Sequence, residues 1–195
     1  QFNVHTRVLI LPQWDRASNS VYDMLVGHEV GHALFTPDED WTEKIDVPQQ
    51  IVNVCEDARI EKLMKRKYPG LSKTFFNGYK ELNDEDFFEL EGQNINDLNL
   101  ADRTNLYFKG SSHISVDFSV EEKEVVDLVG AAETFDEALH ASEVLYKYCV
   151  DQQEKEEEEG EEVNIQQELD AGMEGGDRPD LGEDDTKYDD NPRPE

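Results

Sequence analysis

His28-Glu29-Val30-Gly31-His32 is the stretch on which the reading of this chain turns. Two histidines four residues apart fall on one face of an α-helix, where both imidazoles can reach a single zinc ion. Glu29 lies about 100° round the helix from His28 and can reach a water activated by that metal without being a ligand itself. Two ligands and a general base on two turns of helix are the mechanical content of the H-E-x-x-H signature. A core helix with two satisfied histidines and a surface glutamate would carry the same letters. Against that stands the composition of the helix: with the histidines neutral, Glu29 is the only charged side chain between Met24 and Phe35, and an unpaired carboxylate buried in an apolar helix is costly.

The flanks bound this helix. Ser20-x-x-Asp23 reads as a capping box and Pro37 closes the run, which predicts a helix over 21–35. On the helical wheel Tyr22, Val26, Val30, Ala33 and Leu34 form one apolar arc, with His28 and His32 together elsewhere.

Two histidines do not complete a catalytic zinc site, which usually has three protein ligands and a water. The third is expected in a second helix over 47–67, with Asp46 as N-cap, Pro48 in the first turn and Pro69-Gly70 ending it. Lys65, Arg66 and Lys67 in the last turn complement the helix dipole. Its centre reads Asn53-Val54-Cys55-Glu56-Asp57-Ala58-Arg59-Ile60-Glu61. The wheel puts Glu56 inside an apolar arc and Asp57 at the polar edge. Glu56 is therefore the expected ligand, with Asp57 behind it orienting a ligand histidine, and the choice between the two stays open. Arg59 points inward, to pair with a carboxylate or to face the substrate. An ordinary charged amphipathic helix would look similar.

These two motifs carry a resemblance. His28-Glu29-Val30-Gly31-His32, followed by Glu56 on a second helix, resembles the zincin metallopeptidases, and within them the gluzincin branch, whose third ligand is a downstream glutamate. The stretch from Asn53 to Glu61 is only similar to the branch's Asn-Glu-x-x-x-Asp pattern, because Ile60 stands four residues after Glu56. The metzincin pattern does not fit, having Phe35 and Asp38 where it needs glycine and histidine. The order of motifs is also similar to phage and bacterial metallopeptidase-like proteins that precede a von Willebrand A domain, cobaltochelatase-T-like chains among them. The resemblance covers 7–70 and implies zinc-dependent hydrolysis of peptide bonds.

Composition divides the chain. Of the net charge of −29, residues 151–195 carry 19 Asp and Glu against 4 Lys and Arg, a net of −15, which leaves −14 for residues 1–150. So acidic a segment cannot bury enough apolar surface to offset ordering, so 151–195 is expected to be a disordered tail or a linker to a further domain. Residues 1–150 form the expected metallopeptidase domain. The charge disfavours nucleic acid as a partner, since phosphate binding needs a basic surface and only Lys62 to Lys67 is rich in cations. No stretch resembles a secretory signal or a membrane span, and Gln1 suggests a fragment or a processed product. Cys55 and Cys149 are too few for a disulfide framework, so a reducing, cytoplasmic location is the expectation.

The remaining segments read coarsely. Residues 7–12 predict a short apolar strand, which in a zincin borders the substrate cleft. Residues 69–99 read as loop-rich with one short helix at most, and further helices are predicted over 100–109, 120–131 and 135–150. Ser119-x-x-Glu122 and Thr134-x-x-Glu137 are capping boxes for the last two. The expected fold class is thus α+β, mainly helical. An oxyanion donor is also expected, with Tyr68, Tyr79, His113 and His140 as candidates and His5 a poorer one. Two other functions fit the same residues: a zinc-binding module without hydrolytic activity, and a non-enzymatic acidic protein that recruits basic partners. Bound metal separates the last from the first two.

Overall fold

The computed structural model describes residues 2–3, 6–11, 17–110 and 112–158. Their order is β1 (Phe2–Asn3), β2 (Val8–Leu9), α1 (Asn19–Phe35), α2 (Gln49–Lys67), α3 (Leu71–Asp84), α4 (Leu100–Gly110), α5 (Val120–Ala131) and α6 (Phe135–Glu158). The fold is mainly helical. The strands form one antiparallel pair, Phe2 opposite Leu9 and Asn3 opposite Val8, so the predicted strand over 7–12 shrinks to Val8–Leu9 among the described residues. Pro12 and His5 lie outside the described residues.

Two apolar clusters organise the helices. The larger joins α2, α4, α5 and α6 through Ile51, Val52, Cys55, Leu100, Val126, Val129, Ala138 and Leu145. The smaller lies between α1 and α3 and is built from Val21, Met24, Phe75, Tyr79 and Leu82. Each large apolar side chain buried here contributes roughly 1.5–3 kcal/mol. α1 and α2 meet at the seam between the clusters. Gly31 makes that meeting close: a Cβ there would stand 2.8 Å from Ile60 Cδ1 and 3.0 Å from Met64 Cγ.

Helix α1 starts two residues before its predicted limit, and Ser18, not Ser20, is the cap. The Ser18 hydroxyl accepts from the Ser20 and Val21 amides and donates to Glu81 of α3. The apolar arc read from the wheel is not the buried face. Val21, Met24, Gly27, His28, Glu29 and Gly31 are buried, whereas Leu34 is 47% exposed. Glycines explain the difference, because Gly27 and Gly31 let neighbouring helices press against a face that hydrophobicity alone does not mark.

The stretch expected to be loop-rich holds the 14-residue α3. Its Gly78, a poor helix former, lies where a Cβ would sit 2.7 Å from the Met24 sulfur; close packing against α1 overrides propensity. Pro48 occupies the position before α2 that the sequence assigned to Asp46. Helix α5 matches its predicted limits, capping box included. Thr134 and Glu137 exchange reciprocal bonds at the start of α6. This helix runs to Glu158, eight residues beyond its predicted end and into the segment assigned to the tail. Gln152, Gln153, Glu154 and Lys155 are good helix formers, and Lys155 stands four residues after Asp151. The rest of the acidic tail, 159–195, lies outside the described residues. No helix among the described residues is long and apolar enough to cross a membrane.

Cys55 and Cys149 are both free and buried in the larger core. Burial pushes the Cys55 thiol up to about 12 and the Cys149 thiol up to about 11. Since the thiolate is the nucleophile, iodoacetamide at pH 8 should leave both unmodified in the native chain and label both in denaturant. Intact-mass spectrometry reads the result, and native labelling of either cysteine would contradict the packing described.

Candidate metal centre

Helix α1 presents His28 and His32 one turn apart, with ring centroids separated by 4.8 Å. Helix α2 crosses at Gly31 and brings Asp57 to them. The His28 and His32 Nε2 atoms are 3.2 Å apart. Asp57 Oδ1 is 3.2 Å from His32 Nε2 and 3.6 Å from His28 Nε2. Metal–ligand bonds of about 2.0–2.2 Å at tetrahedral angles place ligand atoms roughly 3.3–3.6 Å apart, close to this triangle. His28, His32 and Asp57 could hold a metal ion.

The hydrogen bonds around the histidines decide which ring nitrogens are available. His28 Nδ1 is 3.1 Å from Glu61 Oε1. A carboxylate only accepts, so Nδ1 carries the proton and Nε2 keeps its lone pair. The Tyr79 hydroxyl of α3 donates to the same Glu61 oxygen, and Lys65 lies 3.4 Å from the other. His32 Nδ1 is 2.9 Å from Thr36 Oγ1. The two Nε2 atoms converge with the Asp57 carboxylate on one point, an arrangement that a cation stabilises.

Charge at the centre follows from its neighbours. Burial opposes ionisation of Asp57, but Lys109 and the two histidines hold its carboxyl well below the usual carboxylate range. The Lys109 ammonium, from the last turn of α4, lies 3.1 Å from Asp57 Oδ2 and leaves Oδ1 facing the imidazoles. Burial likewise opposes a charged His28, yet Asp57 and Glu61 hold its pKa above the ordinary value. The field that draws a proton to His28 also draws a metal cation.

The two acidic neighbours on α2 exchange their expected places. Glu56 is as buried as the wheel implied, at 3% exposure, but Arg59 rather than a metal accounts for it. Arg59 Nε and one of its terminal nitrogens reach the Glu56 oxygens at 2.7 Å each. Asp57, expected behind a ligand, is the carboxylate that meets both histidines. Helical periodicity reports this burial and also the partner that compensates it, since Arg59 stands three residues after Glu56 on the same face.

Glu29 is buried beside His28, at 6% exposure. Of the oxyanion candidates, Tyr79 is engaged with Glu61, and Tyr68 is exposed. His140 stands on an exposed face near Glu143, and His113 packs on the Phe76 ring at 4.1 Å. Sequence reasoning missed Glu61, Thr36 and Lys109. A signal for Glu61 was present, since carboxylates four residues apart, as Asp57 and Glu61 are, share one face of a helix. Lys109 comes from a distant helix and carries no such signal. Comparison with protein-family models, with curated proteins and with solved structures finds no match to this chain.

Proposed function

We propose that the chain is a zinc-dependent hydrolase of peptide bonds, with His28, His32 and Asp57 as ligands and Glu29 as general base. The observation that carries this reading is the convergence of three lone-pair donors whose remaining polar atoms are all turned to other partners. Two imidazoles and a carboxylate are a common catalytic zinc set, whereas structural sites usually have four protein ligands. Zinc held by these residues would supply Lewis-acid chemistry, acidifying water and polarising a carbonyl. Glu29 takes the proton of the attacking water and passes it to the leaving amine. The Glu61 carboxylate holds His28 in the ligating tautomer and raises its basicity. The 28% exposure of the His32 side chain opens the centre towards solvent on that edge. With Asp57 as ligand and Glu61 four residues on, the spacing also comes nearer to the gluzincin pattern than it does from Glu56.

A zinc module without hydrolytic activity is the second reading, favoured by the burial of Glu29 itself. In both readings metal should copurify at one zinc per chain, measured by elemental analysis. Asp57→Asn should strip it. Glu56→Gln should weaken binding only by the roughly 10–100-fold typical of groups behind a ligand. Loss on Glu56→Gln with retention on Asp57→Asn would overturn the assignment. Hydrolysis of a peptide library that a chelator stops and zinc restores separates the enzyme from the module.

A further inference from the structure

His32 has no carboxylate against its Nδ1; its partner is the hydroxyl of Thr36, the residue that closes α1. That hydroxyl lies 2.5 Å from Glu56 Oε1. One hydroxyl has one proton to give. Glu56, already accepting from two Arg59 nitrogens, takes that proton. The Thr36 oxygen is then left to accept from His32 Nδ1–H. The chain of donors runs from His32 through Thr36 to Glu56. Glu56 is anchored in turn by Arg59, which also donates to the Phe35 carbonyl at 2.9 Å and to the Glu133 carbonyl at 3.3 Å.

We infer that Thr36 is a positioning residue that fixes the ligating tautomer of His32 and transmits the Glu56 carboxylate to it through its hydroxyl. The inference rests on the metal-site reading above and adds to it the reason why a buried Glu56–Arg59 pair stands directly behind the ligands. The two histidines are then oriented by different devices: His28 by the Glu61 carboxylate directly, His32 by a carboxylate acting through an alcohol. The hydroxyl spans a gap that Glu56, held by Arg59, does not close by itself. It also places the relay at the end of α1, where the residue that closes the helix with its backbone N–H orients the last imidazole with its side chain.

The experiment is a Co²⁺ titration of metal-free protein, read from the visible absorption of the bound ion, on wild type, Thr36→Val, Thr36→Ser, Glu56→Gln and the Thr36→Val/Glu56→Gln pair. Valine keeps the shape and the capping amide but removes the hydroxyl, and serine restores it. Thr36→Val should raise the Co²⁺ dissociation constant by about 10–100-fold, while Thr36→Ser keeps the wild-type value. If Thr36 and Glu56 act in one relay, the double variant should bind no more weakly than the weaker single variant; independent effects would add. Circular dichroism confirms that each variant is folded. A folded Thr36→Val that binds Co²⁺ like wild type overturns the relay and leaves the metal site standing. Equal losses in the valine and serine variants overturn it too, since a packing defect would then be responsible. Wild type that takes up no Co²⁺ overturns the metal site and the relay together.

Discussion

Glu29→Gln is expected to keep its zinc and lose peptide hydrolysis by about 10²–10⁴-fold, the contribution of a positioned general base. Glutamine preserves length and hydrogen-bonding shape but does not take a proton from water. If His28, His32 and Asp57 supply the ligand atoms as proposed, zinc content should stay at the wild-type level while kcat falls. That split marks Glu29 as acting on the reaction and not on the metal. The assay is single-turnover cleavage of a peptide pool that the wild type hydrolyses in a chelator-sensitive way. Equal rates for the two proteins would remove Glu29 from the mechanism. Loss of zinc along with activity would assign it a structural task instead.

The largest effect on stability is expected from Arg59→Met. Arg59 and Glu56 are each 3% exposed, and their ion pair is closed by two bonds of 2.7 Å. Removing the guanidinium leaves a carboxylate buried without its cation, which costs about 3–5 kcal/mol. In a chain of this size the melting temperature should drop on the order of 10 °C. Urea denaturation gives the free energy directly. Arg59→Met combined with Glu56→Leu should recover much of the loss, because two well-packed apolar side chains can replace a buried pair at little net cost. An Arg59→Met variant as stable as wild type would mean that Glu56 is not confined as described.

How far the sequence reaches depends on what each element uses to hold itself. Helix α5 is set by local chemistry, a capping box at Ser119 and Glu122, and its limits are readable from letters alone. Helix α3 does carry an apolar stripe at helical spacing, Leu71, Phe75, Tyr79 and Leu82, but its interior Gly78, which lies against Met24 of α1, obscures that stripe in the letters. The centre divides in the same way. His28 and His32 are placed by helical spacing, which a sequence displays. The third position in the proposed centre depends on which of two adjacent carboxylates Arg59 claims; helical spacing favours Glu56, three residues before it, over Asp57, two before it, and the packing of α2 against the end of α1, where Arg59 meets the Phe35 carbonyl, holds that pairing. Lys109 enters through the docking of α4 onto α2.

The polar centre also bears on how the molecule coheres. The smaller cluster lies between α1 and α3 and the larger one surrounds α2, and His28, Glu61 and Tyr79 meet where these helices come together. Those three residues come from α1, α2 and α3, and Lys109 adds α4. A cation bound there is held by the native arrangement of the helices and not by any one of them alone. At a free concentration one hundred times its dissociation constant it adds about 2.7 kcal/mol to the folded state. That increment acts on the joint between the two clusters, so it opposes the partial opening in which one half loosens while the other stays intact. A cation bound at the centre would in this sense be a keystone, tying helices of both clusters to one point.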